Sequence, residues 1–401
     1  MVRRKMGLVL LVASLFALFA VSCNKKSGSN VSSGKGEERT VKFYFIGPLT
    51  GDYANYGTYC RDAVEYAIEE FNRSEAAHAR FSVQLEALDS AGDQNKALAQ
   101  AEKAVADKSA LGILGPVLTG ETFSVAGMCQ NVGITVMSPS ATHKDITDTG
   151  DYIFRTVISD GLQGEVAGAY FAQELKYKKL AVLYTMNDYS KGLYEGMKKS
   201  FESNPGCQVV MTETCNIGDR DFRTQLTRLK SSTAEAIYIP NYTEEMAQIL
   251  EQASQLGIKK PFLSGDGFSN PIIYDNAGAY TDGVVYVAPP QVKASTLYSA
   301  FVNAYSKKTG HAPDSFACNA YDAANIYIDA AERMLNRGEN SREAFRKQVA
   351  ATKDFAGVSG TINFAPNGDL IANQGVYKVN GKIPSFLGEY RVVNNKLQKA
   401  N

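Results

Sequence analysis

Short apolar runs alternate along this chain with longer stretches whose apolar residues recur at helical spacing. Residues 41–47 (VKFYFIG) and 81–88 (FSVQLEAL) are typical of strands, whereas 57–72 place their apolar side chains on one helical face. The same alternation predicts further strands at 111–115, 134–138, 179–185, 207–213, 236–240, 261–265 and 283–290. It also predicts helices at 93–107, from Gly120, and at 161–176, 190–203, 221–231, 243–256, 295–308 and 314–335.

Strands that alternate with helices indicate parallel sheets with right-handed crossovers and helices on both faces. Two such blocks lie on either side of about residue 158. A β-rich tail, which includes 361–370, does not extend the alternation, so we expect it to pair with an existing sheet. The predicted fold class is therefore α/β, with two doubly wound parallel-sheet lobes. Open sheets of this kind bind ligands at the carboxyl ends of their strands, which places a ligand cleft between the lobes.

The first forty residues predict export. A basic start at residues 3–5 precedes an apolar run at 7–21, which is too short to span a membrane and is typical of a secretory signal. The junction that ends at Cys23 resembles a bacterial lipobox, in which the cysteine is lipidated. We therefore expect a signal peptide at 1–22, a lipidated flexible tether at 23–40, and a location in the cell envelope, either periplasmic or on the outer face of the cytoplasmic membrane.

Composition changes this picture little. Roughly 360 residues follow the tether, more than one hydrophobic core usually organises, so two lobes are expected. Basic and acidic residues number 42 each, and nothing in this balance indicates a nucleic-acid partner. The sequence has no Gly-x-Ser-x-Gly, no phosphate-loop lysine and no metal-like histidine spacing, so we expect neither an enzyme nor a metal or cofactor.

Cysteine usage favours free thiols. Five cysteines follow Cys23 without CxxC or metal-like spacing, namely Cys60, Cys129, Cys207, Cys215 and Cys318. Cys207 and Cys215 flank one predicted strand, which holds them too far apart to bond. We therefore predict mostly buried free thiols, although an exported protein is able to form disulfides.

Local motifs then follow one another in the order of a known family. They are IGPLTGDYANYG (46–57), DQNKALAQAEKAV (93–105), GILGPVLTGET (112–122), MSPSATH (137–143), FRTVISDGLQG (154–164), VLYTMNDYSKG (182–192), GDRDFRTQLTRLK (218–230) and FLSGDGFSN (262–270). These motifs resemble the type I periplasmic binding proteins of the leucine/isoleucine/valine-binding class, which serve branched-chain amino-acid ABC transporters. The resemblance covers essentially the whole mature chain.

The resemblance implies three crossings between the lobes. They fall near 158–160, 287–291 and 357–361. The first lobe then comprises 41–158 plus 290–358, and the second comprises 159–289 plus 359–401.

Two loops of the first lobe are candidates for binding a carboxylate. Thr119 and Gly120 lie between a buried strand and a helix start, where backbone N–H groups and the helix dipole favour an anion. SPSAT (138–142) ends another strand at the same sheet edge. Read alone, the first loop is an ordinary helix cap and the second an ordinary turn. The resemblance implies carboxylate contacts at Thr119 and Thr142 and main-chain groups from Ser140, beside Ala141.

Two aspartates are candidates for binding an ammonium. Asp160 follows the first crossing, and its alternative role is to cap the helix that follows it. Asp266 lies in GDG, whose alternative interpretation is a tight turn. In members of the resembled family that bind amino acids, an acidic residue occupies the position of Asp266, whereas members with other ligands do not need it because an unpaired carboxylate in a closed cleft is costly. With both acids present, the resemblance therefore implies an α-amino acid as the ligand.

Tyrosines complete the candidate site. The resemblance implies that Tyr189 and Tyr242 close over the ligand and that Tyr56 contacts the ligand side chain, with Tyr53 nearby. A tyrosine at any of these positions is also an ordinary packing residue, because the chain has 22 of them.

These observations predict the substrate-binding lipoprotein of an ABC importer. We expect it to capture a branched-chain or other apolar amino acid, to act as a monomer, and to work with permease and ATPase subunits. Two alternatives stay open, which are a sensor that signals through a separate partner and a protein that binds a small amide or carboxylate.

Overall fold

The structure is a computed structural model that describes residues 39–74, 81–290 and 295–400. The predicted signal peptide, Cys23 and nearly all of the predicted tether lie outside these residues. The folded chain begins with a strand at Thr40. Within the described ranges, none of the helices combines the length and apolar character that a membrane crossing requires.

The first sheet has five parallel strands in the order β2-β1-β3-β4-β5. They are β1 (Thr40–Gly47), β2 (Ser82–Asp89), β3 (Ala110–Leu114), β4 (Thr135–Ser138) and β5 (Ile153–Arg155). Every residue of β3 and β4 is buried, as expected for central strands that are covered on both faces. The short strand β5 is absent from the sequence-based prediction.

The second sheet has eight strands in the order β15-β14-β13-β10-β9-β8-β6-β7. Five are parallel, namely β6 (Lys179–Thr185), β7 (Gln208–Cys215), β8 (Ala236–Tyr238), β9 (Phe262–Ser264) and β10 (Val285–Ala288). Three strands of the tail extend this sheet with antiparallel pairing, namely β13 (Gln374–Asn380), β14 (Ile383–Val393) and β15 (Lys396–Lys399). The expectation that the tail pairs with an existing sheet is confirmed for these strands.

Helices cover both sheets. The described residues contain α1 (Ala54–Arg73), α2 (Gln94–Ala106), α3 (Thr119–Val132), α4 (Asp160–Gln173), α5 (Asp188–Glu202), α6 (Arg223–Ser231), α7 (Thr243–Gln255), α8 (Ile272–Asn276), α9 (Thr296–Thr309), α10 (Ser315–Asn336) and α11 (Arg342–Ala350). The predicted helices and strands agree with these bounds to within a few residues, whereas α8 and α11 were not predicted. The α/β class with two parallel-sheet lobes is confirmed.

Three helices that follow β10 pack on the first sheet or, in the case of α9, on its helix α1. Helix α10 packs on α1, β3 and β4, and α11 packs on β3 and β4. The hydroxyl of Tyr327, in α10, lies 3.1 Å from the carbonyl oxygen of Ile113 and 3.0 Å from that of Thr135, so it ties the helix to two adjacent strands. We call the first sheet with α1–α3 and α9–α11 the first lobe, and the second sheet with α4–α8 the second lobe.

The segment 361–372 lies with the first lobe, which corrects its expected assignment to the second. Its first residues form β12 (Thr361–Ile362), which pairs with β11 (Phe355–Ala356) in a separate two-stranded sheet. The ring centroids of Phe364 and Phe154 are 5.4 Å apart, and Leu370 belongs to the first-lobe core. Apolar burial against β5 therefore holds this segment, and the chain joins the second sheet only at β13.

All five cysteines in the described part of the chain are buried and unbonded. Cys215 ends β7 and Cys207 directly precedes it. The prediction of buried free thiols is confirmed for these positions.

Glycines allow α4 and α5 to pack with their backbones almost in contact. A Cβ atom at Gly168 would lie 2.5 Å from the carbonyl oxygen of Met197, and one at Gly164 would lie 2.6 Å from the backbone of Gly196. Side-chain carbons do not approach backbone atoms so closely, so any larger residue has to separate the helices.

We therefore predict that Gly168→Ala lowers the free energy of unfolding by about 1–3 kcal/mol, because the added methyl group overpacks this helix pair. Gly127→Ala is the matched control: it lies in α3, where a Cβ atom would have no neighbour within 4 Å. That change should stabilise the protein slightly, since alanine favours a helix over glycine. Urea denaturation of both variants checks this, and equal effects would contradict the close packing.

Candidate ligand-binding site

The candidate residues converge between the two lobes. Thr119, Ser140, Ala141 and Thr142 lie at the carboxyl ends of β3 and β4, and Asp160 begins α4 beyond β5. Tyr189, Tyr242 and Asp266 follow β6, β8 and β9 of the second sheet. All of them are buried, as is Tyr56 in α1, and Gly120 is half-buried. The structure thus brings the set together, while its role in binding stays a prediction.

Threonine hydroxyls line the first-lobe side of the site. The backbone N–H of Thr142 donates to Oγ1 of Thr119 over 3.3 Å, which leaves the Thr119 hydroxyl hydrogen free to donate elsewhere. Oγ1 of Thr142 is buried and has no hydrogen-bond partner in the described ranges. Helix α3 has Leu118 as its N-cap, so the interpretation of Thr119 as a helix cap is wrong.

The loop that carries Thr142 is held by Ser138. Its Oγ accepts from the backbone N–H of Ala141 at 3.0 Å and, at a longer 3.4 Å, from that of Ser140. The predicted main-chain contribution of Ser140 is thus partly engaged within the loop. A Cβ atom at Gly120 would lie 2.4 Å from Nε2 of Gln94, so a side chain there would require the exposed Gln94 side chain to move.

Asp160 is buried without a hydrogen-bonding role in its own helix. Ser159 is the N-cap of α4, and its Oγ accepts from the backbone N–H of Leu162. The capping alternative for Asp160 is therefore wrong. Neither of its carboxylate oxygens has a well-formed hydrogen bond among the described residues, although the Thr142 hydroxyl lies near enough to act against the rise of the Asp160 pKa. Its backbone N–H donates to the carbonyl oxygen of Thr142 at 2.6 Å, which places this carboxylate beside the threonine hydroxyls.

Asp266 approaches from the second lobe. It begins a 3-10 helix (Asp266–Ser269), and its Oδ1 accepts a 2.8 Å hydrogen bond from the Tyr189 hydroxyl. Its backbone N–H donates to Oε1 of Gln163, one turn into α4. Oδ2 of Asp266 has no partner within the described part of the chain. This carboxylate is thus held firmly on one side and has acceptor capacity on the other.

The pKa values of both carboxyl groups are raised. Burial, and then the negative charge of Asp266, raises the pKa of Asp160 well above its ordinary value. Burial raises the pKa of Asp266 to about 6, although the hydrogen bond from Tyr189 acts in the opposite direction. Two buried acids with unpartnered oxygens are costly to ionise, so the site favours a cation that pairs with both.

Tyrosines form the remaining wall. The rings of Tyr189 and Tyr242 stack with centroids 4.7 Å apart, and Tyr242 also contacts Tyr53 and Tyr56. The Tyr56 hydroxyl lies 2.8 Å from Oγ1 of Thr243, which belongs to the second lobe. These rings present a broad apolar surface, and the hydroxyls of Tyr53, Tyr56 and Tyr189 each have a side-chain hydrogen-bond partner.

Three contacts join the lobes at the edge of the site. Besides the Tyr56–Thr243 contact, the Tyr53 hydroxyl donates to Oε1 of Glu245 at 2.7 Å, and Arg220 pairs with Asp52 at 2.5 Å. Burial raises the pKa of Glu245, and it raises that of the neighbouring Glu244 to about 8.

Sequence reasoning missed the supporting residues Arg155, Gln163, Thr243 and Glu245. Gln163 follows Asp160 by three positions, so helical spacing places both on one face and was the available signal. Thr243 and Glu245 lie in the first turn of α7, directly after Tyr242. Their proximity to Tyr242 in the sequence was a second signal that could have identified them. No local pattern points to Arg155.

Comparisons with known proteins show the family and the fold of the chain. A family model described as "Periplasmic binding protein" matches residues 40–382. The leucine-, isoleucine-, valine-, threonine- and alanine-binding protein of Pseudomonas aeruginosa is 31% identical over 334 residues, which are 82% of this chain and 87% of that protein.

Solved structures of solute-binding proteins have the same fold. The substrate-binding protein of a branched-chain amino acid transporter from Streptococcus pneumoniae, in complex with isoleucine, superposes with a TM-score of 0.79 at 27% identity. That match covers 90% of this chain and 100% of the other. A solute-binding protein of an ABC transporter from R. palustris, in complex with benzoate, has a TM-score of 0.80, 20% identity and coverage of 87% and 96%. At that identity the likeness shows the fold alone.

Proposed function

Since the chain belongs to the periplasmic binding protein family, we propose that it is the substrate-binding component of an ABC importer and captures an α-amino acid between its lobes. A solute-binding role follows from the family itself. The finer parts of the proposal are the amino acid as ligand, the residues that hold it, the absence of catalysis, a monomeric state, and the permease and ATPase as partners.

One observation carries the choice of ligand. The unpartnered Asp160 carboxylate, the unpartnered Asp266 Oδ2 and the unpartnered Thr142 hydroxyl all lie in one buried site. An α-amino acid carries its ammonium and carboxylate on one carbon, so it needs acceptors and donors side by side. The backbone hydrogen bond between Asp160 and Thr142 supplies that adjacency. The proposal assigns the ammonium to the two aspartates and the carboxylate to Thr119 and Thr142.

Closure of the lobes completes this site. The first lobe contributes both threonines, next to Asp160 at the first crossing, so the ligand binds there first and the second lobe brings Asp266 and its tyrosines. The ammonium then neutralises two carboxylates that otherwise repel, so the ligand favours the closed form. A permease that recognises the closed form receives loaded protein.

Ligand class is tested by a thermal-shift screen of the twenty amino acids, small amides and carboxylates such as benzoate. A ligand that binds only the folded protein raises its melting temperature, and we expect apolar amino acids to give the largest shifts. Stabilisation by carboxylates or amides alone would overturn the assignment of the aspartates.

We predict that Asp266→Ala weakens amino-acid binding by about 2–5 kcal/mol, because the ammonium loses one of two buried partners. Asp266→Asn keeps the volume and the Tyr189 hydrogen bond, and it should also bind more weakly since the charge is lost. Asp275→Ala, at an exposed acid of the same lobe, is the control and should bind as the wild type does. Calorimetry measures the affinity for the amino acid. A loss of affinity below tenfold in both Asp266 variants would show that Asp266 does not contact the ligand.

Closure without ligand should depend on pH. Both aspartates have raised pKa values in this buried arrangement, so protonation of either favours the closed form. The contribution of Asp266 is lost as pH rises through about 6, and Asp160 acts in the same direction. We predict that the radius of gyration of ligand-free protein, from small-angle X-ray scattering, is smaller at pH 5 than at pH 8.

The pKa values of Glu244 and Glu245 are also raised, so their protonation likewise favours the closed form at low pH. The test therefore needs a variant that removes the contribution of the aspartates alone. Asp160→Asn/Asp266→Asn removes both charges and should be more closed at pH 8 and less sensitive to pH. An unchanged pH response in this double variant would contradict the role of the aspartates.

We also propose that Cys23 carries a lipid anchor. Cys23→Ala should abolish incorporation of labelled palmitate, whereas Ser22→Ala keeps a small residue before the cysteine and should still be labelled. Metabolic labelling followed by detergent partition measures this. Palmitate retained by Cys23→Ala would exclude the anchor.

A further inference from the structure

Arg155 ends β5 and is completely buried, yet it lies outside the candidate ligand contacts. Its Nε and Nη2 donate to Oδ1 and Oδ2 of Asp369 at 2.6 and 2.9 Å, which is a bidentate ion pair. Its Nη1 donates to the carbonyl oxygens of Thr142 and His143 at 3.0 and 2.8 Å. A planar guanidinium satisfies both sets of acceptors at once, which a lysine cannot do.

Asp369 lies in the segment 361–372, for which the sequence analysis predicted no function. The Phe154–Phe364 ring contact holds this segment on the first lobe, and the backbone N–H of Arg155 donates to the carbonyl oxygen of Gly368 at 3.3 Å. Asp369 is thereby brought to Arg155 from 214 residues further along the chain. The ion pair joins this segment to the loop that carries Thr142.

The Thr142 carbonyl oxygen is the point where this network meets the site. It accepts from the guanidinium of Arg155 and also from the backbone N–H of Asp160. Arg155 therefore restrains the peptide that fixes the spacing between Thr142 and Asp160. Its positive charge also opposes the effects of burial and of Asp266 on the pKa of Asp160.

We propose that Arg155 is a positioning residue of the ligand site, which sets the spacing of Thr142 and Asp160 through the Thr142 carbonyl while Asp369 holds its guanidinium in place. It contacts no ligand itself. The inference rests on the proposed function for its effect on affinity. The simpler alternative is that the ion pair only attaches the segment 361–372 to the first lobe.

The positioning role and the purely structural role of Arg155 can be distinguished by removing the charges of Arg155 and Asp369 together. Arg155→Met/Asp369→Leu leaves no unpaired buried charge, and such replacements often restore stability. We expect this double variant to melt near the wild type but to bind the amino acid found in the screen at least tenfold more weakly. Phe364→Leu is the control, because it loosens the same segment without touching Arg155, and it should lose stability but keep its affinity.

A second measurement needs no ligand. Amide hydrogen exchange at Asp160, whose N–H donates to Thr142, should accelerate in the double variant and in Arg155→Lys, and should stay slow in Phe364→Leu. Unchanged exchange at Asp160, or wild-type affinity in the double variant, would leave Arg155 with a purely structural role. If the wild type binds no amino acid, the proposed function fails and the exchange rates still decide the role of Arg155.

Discussion

Asp160, at the crossing between the lobes, and Asp266, in the second lobe, are buried next to one another with unpartnered oxygens, and much of the surrounding structure accommodates their repulsion. The Tyr189 hydroxyl donates to the Asp266 carboxylate, and the Gln163 side chain accepts from the backbone N–H of Asp266. Ser159, and not Asp160, caps helix α4. Such an arrangement is unfavourable until a positive charge enters it. The same residues that define the ligand thus make the closed form depend on the ligand.

The remaining contacts between the lobes are suited to opening again. Tyr53 and Tyr56 reach across to Glu245 and Thr243 through their hydroxyls, and Asp52 pairs with Arg220 at an exposed edge. Hydroxyls exchange protein partners for water at small net cost, and an exposed ion pair contributes little. Opening also separates the Tyr242 ring from those of Tyr53 and Tyr56, so it exposes aromatic surface together with these polar groups.

The alternation of apolar runs predicted both lobes because central parallel strands are buried on both faces and therefore stand out, as β3 and β4 do. The segment 361–372 was misassigned because it has no periodicity, and its position depends on contacts with Phe154 and Arg155 far along the chain. The candidate residues were found through strand ends and motifs. Their alternative roles as caps could be excluded only once Leu118 and Ser159 were seen to occupy those positions.

The ion pair between Arg155 and Asp369 has a consequence for how an exported chain matures. A chain that emerges with its N-terminus first can form the strands of the first lobe early, but Arg155 then lacks its counterion until residue 369 arrives. Contacts of such long sequence separation form slowly. A chain that ends before residue 369 would therefore lack the counterion of the guanidinium behind the Thr142 loop, which ties the proposed positioning of that loop to the last part of the polypeptide.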